Sequence, residues 1–217
     1  MIKAVIFDLD GTIADTLPLC IAAFKKSIEP LLGKTVSEEE IVATFGPSEE
    51  GTIRRLIPAQ EEAGVASYLK HYEALLYTCP SSFLGIPEVL SMLKEKGVPL
   101  AMVTGKGIHS TRLSLAQFGL AAFFEILETG SPEGPNKVNG IRSVLKQLGV
   151  SAAESLYVGD AVSDIRYCKE IGWGESDVIH DHEPVAVEGE HEAIARADAE
   201  PAIQGCDQLG ERGFAKF

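Results

Sequence analysis

The first twelve residues constrain the fold more than any other stretch, because an apolar run leads directly into two carboxylates. Ile2 to Phe7 is almost wholly apolar and contains β-branched residues, and Asp8, Asp10 and Gly11 follow it. A short run of this kind is typical of a strand buried on both faces in a parallel sheet. In open α/β sheets, ligands bind at the carboxyl ends of the strands. The end of this strand is therefore a candidate functional site.

The two carboxylates need a compensating partner if they lie close together. Like charges about 4 Å apart repel by about 4 kcal/mol at an effective dielectric of about 20. A bound metal ion, or protonation of one carboxyl group, removes that repulsion. The alternative is a solvated turn in which Asp10 caps a helix.

The amino-acid composition and net charge of the chain indicate which partners it could bind and in which cellular compartment it would lie. The 217 residues suit one domain with a large insertion or two small domains, and 45% hydrophobic residues are ample for a packed core. A net charge of −13 without a basic cluster disfavours nucleic acid and membrane surfaces as partners. No window approaches the ~20 apolar residues of a membrane span, and the N-terminus lacks the form of a signal peptide. We expect a cytoplasmic protein with free thiols, because its cysteines show no paired spacing: Cys20, Cys79, Cys168 and Cys206.

Alternation of strands and helices predicts the domain organisation. Residues 15–82 show helical patterns only; the first helix is predicted to begin at a Thr16 cap and to end near Ile28, ahead of Pro30. We expect an α/β core with a doubly wound parallel sheet, residues 1–14 and 83–217, and an inserted helical cap, residues 15–82. The later strands are predicted at Val98–Val103, Phe123–Leu127, Ser155–Val158 and, as a short strand, Val178–His180.

The ends of three predicted strands carry polar groups that would converge on one edge of a parallel sheet. These groups, with a lysine ahead of an intervening helix, are Asp8 and Asp10, Thr104 and Gly105, Asp160 and Asp164, and Lys137. Carboxylate oxygens without His or Cys suit Mg²⁺. The hydroxyl, the amides and the ammonium suit a phosphoryl group.

The motifs, taken in order, resemble those of the haloacid dehalogenase superfamily. F-D-L-D-G-T, V-T-G-K, a lone lysine ahead of a helix and V-G-D-A-V-S-D look like the family's four motifs. The insertion after the first motif resembles a C1-type cap, and the chain is most similar to the phosphoglycolate phosphatase-like branch of subfamily I. Four spaced motifs that agree in order make the resemblance specific. It implies a Rossmann-like core.

The resemblance also implies chemical roles for the carboxylates. Asp8 would be the nucleophile that accepts the phosphoryl group, and Asp10 would protonate the leaving alcohol and then activate water. Asp8, the backbone carbonyl of Asp10 and Asp160 would hold Mg²⁺, with Asp164 supporting that site or the lysine.

Two further elements would bind the phosphoryl group. Thr104 and the amide of Gly105 would hold its oxygens, and Lys137 would neutralise the charge on Asp8 and on the phosphoryl group. An acid at position 10 favours phosphoryl transfer over dehalogenation, because a halide leaves without a proton.

Two assignments keep alternatives. Val138 follows Lys137 in place of the proline usual in the family, so Lys106 and Lys146 remain less favoured candidates for the motif lysine. Asp164 is alternatively only a first-turn acid favoured by the helix dipole.

Residues outside the motifs receive weaker interpretations. Arg54 and Arg55 lie on a cap helix, where one could reach a second anionic group or both could face solvent. His180 and His182 could bind a metal adventitiously, although a surface loop is the favoured interpretation. The stretch after Trp173 departs from the family pattern, and we place no catalytic group there.

The sequence thus predicts a Mg²⁺-dependent phosphatase that hydrolyses a small phosphate monoester, such as phosphoglycolate or a sugar phosphate, through an aspartyl phosphate. The partner would be a small phosphorylated metabolite, and the protein a monomer or homodimer. One alternative is a phosphosugar mutase of the same family. Another is a non-catalytic, phospho-accepting regulatory protein, which would have no need of a cap.

Overall fold

The computed structural model describes residues 2–173 and 178–179. Its strands are β1 (Ala4–Phe7), β2 (Leu100–Val103), β3 (Ile126–Glu128), β4 (Ser155–Val158) and β5 (Val178–Ile179). They form one parallel sheet in the order β3-β2-β1-β4-β5. This arrangement, with helices on both faces, confirms the predicted α/β class.

Helices connect the strands and form the region between β1 and β2. The α-helices are α1 (Leu17–Leu32), α2 (Glu38–Val42), α3 (Glu49–Leu56), α4 (Glu61–Leu75), α5 (Ile86–Glu95), α6 (Ile108–Gln117), α7 (Lys137–Leu148) and α8 (Val162–Ile171). Single turns of 3₁₀-helix in the described residues are Pro58–Gln60, Leu76–Thr78, Ala121–Phe123 and Ala152–Glu154.

β1 lies in the middle of the sheet. All four of its residues are apolar, and all four are buried there. Phe7 is opposite Met102 of β2 and Val158 of β4. Alternate side chains of β1 enter different apolar clusters: Val5 and Phe7 join one, and Ile6 joins the other. This register brings the residues that follow β1, β2 and β4 to one edge of the sheet.

A separate apolar cluster holds the helices between β1 and β2 together. It includes Phe24 of α1 and Tyr68 and Tyr72 of α4, and the rings of Phe24 and Tyr68 lie 4.5 Å apart. Residues 17–78 are all described and contain no strand. A helical unit in this position supports the predicted cap; its bounds at residues 15 and 82 stay a prediction.

The end of α1 and the hydrogen bond of Thr16 differ from the prediction. The helix continues through Pro30 to Leu32, because Pro30 lies in the last turn and Gly33, with φ of 66°, closes the helix by donating its N–H to the Glu29 carbonyl. Thr16 lies at the N-cap position, but its hydroxyl makes no capping bond. It donates to the Asp10 carboxylate instead, since a charged acceptor makes the stronger bond.

The predictions for the third strand, the cysteines and membrane spans can also be compared with the structure. The third strand begins at Ile126, not Phe123, because Phe123 belongs to a 3₁₀ turn. Cys20, Cys79 and Cys168 are free and buried, as expected. Cys206, His180 and His182, and the rest of the predicted core after residue 179, lie outside the described residues. Within the described part of the chain, no helix is long and apolar enough to cross a bilayer.

Trp173 closes the core beyond α8, although the sequence around it departs from the family pattern. The residue is 3% exposed, and its indole N–H donates to the carbonyl oxygens of Ala152, at 2.6 Å, and Ser155, at 3.2 Å. Its ring lies 6.3 Å from that of Tyr157 on β4. The chain is therefore integrated into the core at least as far as Trp173.

We expect Trp173→Ala to lower the free energy of unfolding by about 3–5 kcal/mol, because it removes a buried aromatic ring and its hydrogen bonds. Tyr77→Ala is the matched control, since Tyr77 is 73% exposed; its cost should stay within about 0.5 kcal/mol. Urea denaturation measures both. Equal effects of the two substitutions would show that Trp173 does not carry this part of the core.

Candidate active site

Asp8 and Lys137 form the centre of the polar edge of the sheet. Asp8 follows β1, is 4% exposed, and donates its backbone N–H to the Val158 carbonyl at 2.9 Å. Its carboxylate accepts from Lys137 Nζ at 2.5 Å and from the Leu9 N–H at 2.7 Å. Lys137 is the first residue of α7, so the start of that helix aims its ammonium at the end of β1.

Asp164 is the second acceptor of the same ammonium. It lies in the first turn of α8, is fully buried, and accepts from Lys137 Nζ at 2.6 Å. The Ala161 N–H and the Tyr157 hydroxyl donate to it at 3.3 and 3.4 Å. Asp164 is therefore more than a first-turn acid, because the fold ties it to both the lysine and the helix start.

Asp160 completes a group of three carboxylates. Thr12 donates its hydroxyl to Asp160 at 3.0 Å. A Cβ on Gly11, which has φ of 77°, would overlap the Asp160 carboxylate, so only glycine permits this approach. Oxygen atoms of Asp8, Asp160 and Asp164 lie within 4.8 Å of one another. Three hard oxygen donors this close fit Mg²⁺.

The charge balance of this group also favours a cation. Burial raises the pKa of Asp8 from its ordinary 3.8 to about 7, against the opposing effect of the Lys137 ammonium, and Asp164 and Asp160 add to the rise. Burial and the Asp164 carboxylate also raise the pKa of Asp160. One ammonium faces three carboxylates here, so a divalent cation would balance the remaining negative charge.

The Asp10 side chain lies outside this group of carboxylates. It accepts from the Thr16 hydroxyl and from Lys106 Nζ, which is 3.0 Å from Asp10 Oδ1. The side chain is 31% exposed. The predicted metal contact of Asp10, through its backbone carbonyl, stays a prediction.

Lys106 and Glu49 are the polar residues at this edge that the sequence analysis missed. Lys106 follows β2 and is buried; sequence reasoning weighed it only as a substitute for Lys137. Glu49, the first residue of α3, is 8% exposed and accepts from the Gly107 N–H and the Ser110 hydroxyl at the start of α6. The position of Lys106 directly after Thr104-Gly105 was a usable signal, whereas nothing in the sequence marks Glu49.

Thr104 and Gly105 lie where the loop after β2 begins. Thr104 is 2% exposed, and its hydroxyl accepts from the Lys106 N–H at 3.2 Å. A Cβ on Gly130 would overlap the Gly105 carbonyl, so the loop after β3 packs directly on this turn. Because Met102 of β2 is paired with Phe7 of β1, this turn begins at the same edge of the sheet as Asp8.

The other residues considered from sequence lie in ordinary surface contacts. Arg54 pairs with Glu61 at 3.0 Å and Glu133 at 3.3 Å. Arg55 donates to the Thr44 carbonyl at 3.2 Å, and Lys146 is exposed. None of these cations contacts the carboxylate group.

The geometry and the four motifs agree with a comparison against known families. A family model described as haloacid dehalogenase-like hydrolase matches residues 5–174. The chain belongs to this family. The match confirms the resemblance inferred from the motifs, and it makes the protein an enzyme of the hydrolase class.

Curated relatives and solved structures of haloacid dehalogenase-like proteins extend this result. The chain is 31% identical over 173 residues to pyrophosphatase PpaX of Halalkalibacterium halodurans, covering 79% of this chain and 80% of that protein. It is 30% identical over 182 residues to phosphoglycolate phosphatase of Neisseria gonorrhoeae, covering 79% and 77%. The crystal structure of CbbY from Rhodobacter sphaeroides in complex with phosphate has a TM-score of 0.74 at 20% identity, covering 95% of this chain and all of that one. At that identity the likeness shows the fold alone.

The raised pKa of Asp8 makes a pH-dependent prediction for the protein kept in a chelator. Because the folded-state pKa of about 7 lies above the ordinary 3.8, the contribution of Asp8 to stability is complete below about pH 4 and is lost as the pH rises through about 7. The Tm of the unmodified protein, relative to that of Asp8→Asn, should therefore fall between about pH 4 and about pH 7.

Added Mg²⁺ should raise the Tm of the unmodified protein more at the higher pH, where the carboxylates are ionised. Thermal unfolding followed by circular dichroism measures both effects. A Tm difference from Asp8→Asn that does not change with pH would contradict the raised pKa.

Proposed function

We propose that this protein is a Mg²⁺-dependent phosphatase that hydrolyses a small phosphate monoester through a phosphoryl group carried on Asp8. The observation that carries the proposal is the position of Asp8. It is buried at the end of β1, 2.5 Å from Lys137 Nζ, and grouped with Asp160 and Asp164. A nucleophilic carboxylate that attacks an anionic phosphate requires compensating positive charge, which Lys137 and a cation held by these carboxylates would supply.

Asp8 would act as the nucleophile. One carboxylate oxygen forms a bond to phosphorus, the bond from phosphorus to the ester oxygen breaks, and an aspartyl phosphate remains. Water then attacks the phosphorus, which releases inorganic phosphate and restores the carboxylate. Lys137, held by both Asp8 and Asp164, neutralises the charge that accumulates on the phosphoryl oxygens.

Asp10 would act as the acid and then as the base. Its partly exposed carboxyl, two residues beyond the nucleophile, gives a proton to the departing alcohol oxygen and later takes a proton from the attacking water. General acid–base assistance of this kind accelerates a step by about 10²- to 10⁴-fold.

Thr104 and the Gly105 amide would bind the phosphoryl oxygens, because their turn follows β2, which pairs in parallel with the strand that precedes Asp8. Asp8, Asp160 and the Asp10 carbonyl would hold Mg²⁺, and Asp164 would support them. Bound there, Mg²⁺ supplies Lewis-acid stabilisation of the phosphoryl charge.

The substrate would be a small phosphorylated metabolite, of the phosphoglycolate or sugar phosphate type, in the cytoplasm. Glu49 of α3 accepts from the Gly107 N–H and the Ser110 hydroxyl, which supports a cap that lies over this edge of the sheet. Curated relatives named phosphoglycolate phosphatase support a small substrate.

We expect Mg²⁺-dependent release of phosphate from p-nitrophenyl phosphate or from a panel of small phosphate esters, and its loss on Asp8→Asn. The rate should fall by at least about 10³-fold, because the substitution removes the nucleophile. Asp15→Asn is the matched control, since Asp15 is exposed and lies outside the carboxylate group. Phosphate release measured with and without EDTA makes the comparison.

Three outcomes would count against the proposal. Turnover that survives Asp8→Asn would exclude Asp8 as nucleophile. Conversion of a sugar phosphate to its isomer, without net phosphate release, would identify the mutase alternative. Stable phosphorylation of Asp8 without turnover would identify the phospho-accepting regulatory alternative.

A further inference from the structure

Lys106 is a buried cation that the proposed chemistry does not use. It follows the Thr104-Gly105 turn, and its side chain is 1% exposed. A buried ammonium is costly unless it is paired, so its partners reveal what the fold requires of it.

The principal partner of Lys106 is the Asp10 carboxylate. Nζ lies 3.0 Å from Asp10 Oδ1 and 3.3 Å from Oδ2, so the ammonium contacts both oxygens. The Thr16 hydroxyl also donates to Asp10 Oδ1. Two donors from distant parts of the sequence, Lys106 on the loop after β2 and Thr16 directly before α1, therefore fix the direction of this carboxyl group.

The remaining sides of the ammonium are covered by protein. Cys20 Sγ lies 2.9 Å from Nζ, Glu49 Oε1 lies 3.8 Å away, and the Tyr72 ring centroid lies 4.9 Å away. These three residues belong to α1, α3 and α4. No face of the ammonium is left for a substrate, which distinguishes Lys106 from Lys137.

We propose that Lys106 is the positioning residue for Asp10: it holds the carboxyl group in the direction needed to give a proton to the leaving alcohol and to take one from water. The proposal rests on the proposed function. Lys106 retains its own protons throughout, and the proton that is transferred belongs to Asp10. Because Cys20, Glu49 and Tyr72 surround the ammonium, the helices between β1 and β2 help to set this direction.

The leaving group provides a test that a merely structural lysine would not pass. An alkyl alkoxide needs a proton as it departs, whereas p-nitrophenolate leaves without one. If Asp10 is misplaced, phosphoryl transfer to Asp8 should therefore become slower from an alkyl phosphate but should be little changed from p-nitrophenyl phosphate. The ratio kcat/KM reports this first step, while kcat for p-nitrophenyl phosphate reports the later attack of water.

The experiment compares Lys106→Met with the unmodified protein on p-nitrophenyl phosphate and on the best alkyl substrate among phosphoglycolate and the hexose phosphates. We expect kcat/KM for the alkyl ester to fall by about 10-fold or more, and kcat/KM for p-nitrophenyl phosphate to change by less than about 3-fold. Release of p-nitrophenolate should show a burst of one equivalent, because attack of water becomes slow. Lys94→Met, on the exposed side of α5, is the matched control and should show neither effect.

A double variant separates positioning from loss of structure. Asp10→Asn alone should show the same dependence on the leaving group. Adding Lys106→Met to Asp10→Asn should lower kcat/KM for the alkyl ester by less than about 3-fold further, because both substitutions act on one group. Equal losses on both esters without a burst, or fully additive losses, would overturn the role of Lys106. Absence of Asp8-dependent turnover in the unmodified protein is a distinct result, and it would overturn the proposed function together with this inference.

Discussion

The ion pairs of Lys137 with Asp8 and Asp164 are the interactions on which the polar edge of the sheet depends. One ammonium, 2.5 Å from Asp8 and 2.6 Å from Asp164, ties the end of β1 to the starts of α7 and α8. The neighbouring Asp160 leaves an excess of negative charge that these contacts do not neutralise. The fold thus maintains a buried, electrostatically unbalanced site, which is the arrangement expected where a metal and a phosphoryl group bind.

A second set of charged contacts, made by Lys106 and Glu49, connects this edge of the sheet to the helices between β1 and β2. Lys106 contacts Asp10 and also one residue each of α1, α3 and α4, and Glu49 from α3 accepts from the Gly107 N–H before α6. The direction of the Asp10 carboxyl group is consequently set both by the loop after β2 and by the helices between β1 and β2.

Sequence reasoning recovered the features that depend on local patterns. The apolar run before Asp8 identified the central strand, and the order of the motifs identified the family. It did not recover features that depend on tertiary contact. The Thr16 hydroxyl turned from its cap to a charged acceptor, and the two buried partners of the Asp10 region, Lys106 and Glu49, meet only because distant segments pack together. Periodicity and spacing contain no information on such contacts.

The roles proposed for Lys137, Asp10 and the Mg²⁺ site all depend on transfer of the phosphoryl group to Asp8. The most direct test is acid quenching of the protein during turnover of a small phosphate ester with Mg²⁺, followed by peptide mapping in a mass spectrometer. We expect one added phosphoryl group on Asp8, which disappears when the substrate is exhausted and never forms in Asp8→Asn. Turnover without a phosphoryl group on Asp8, or with one on another residue, would contradict this expectation.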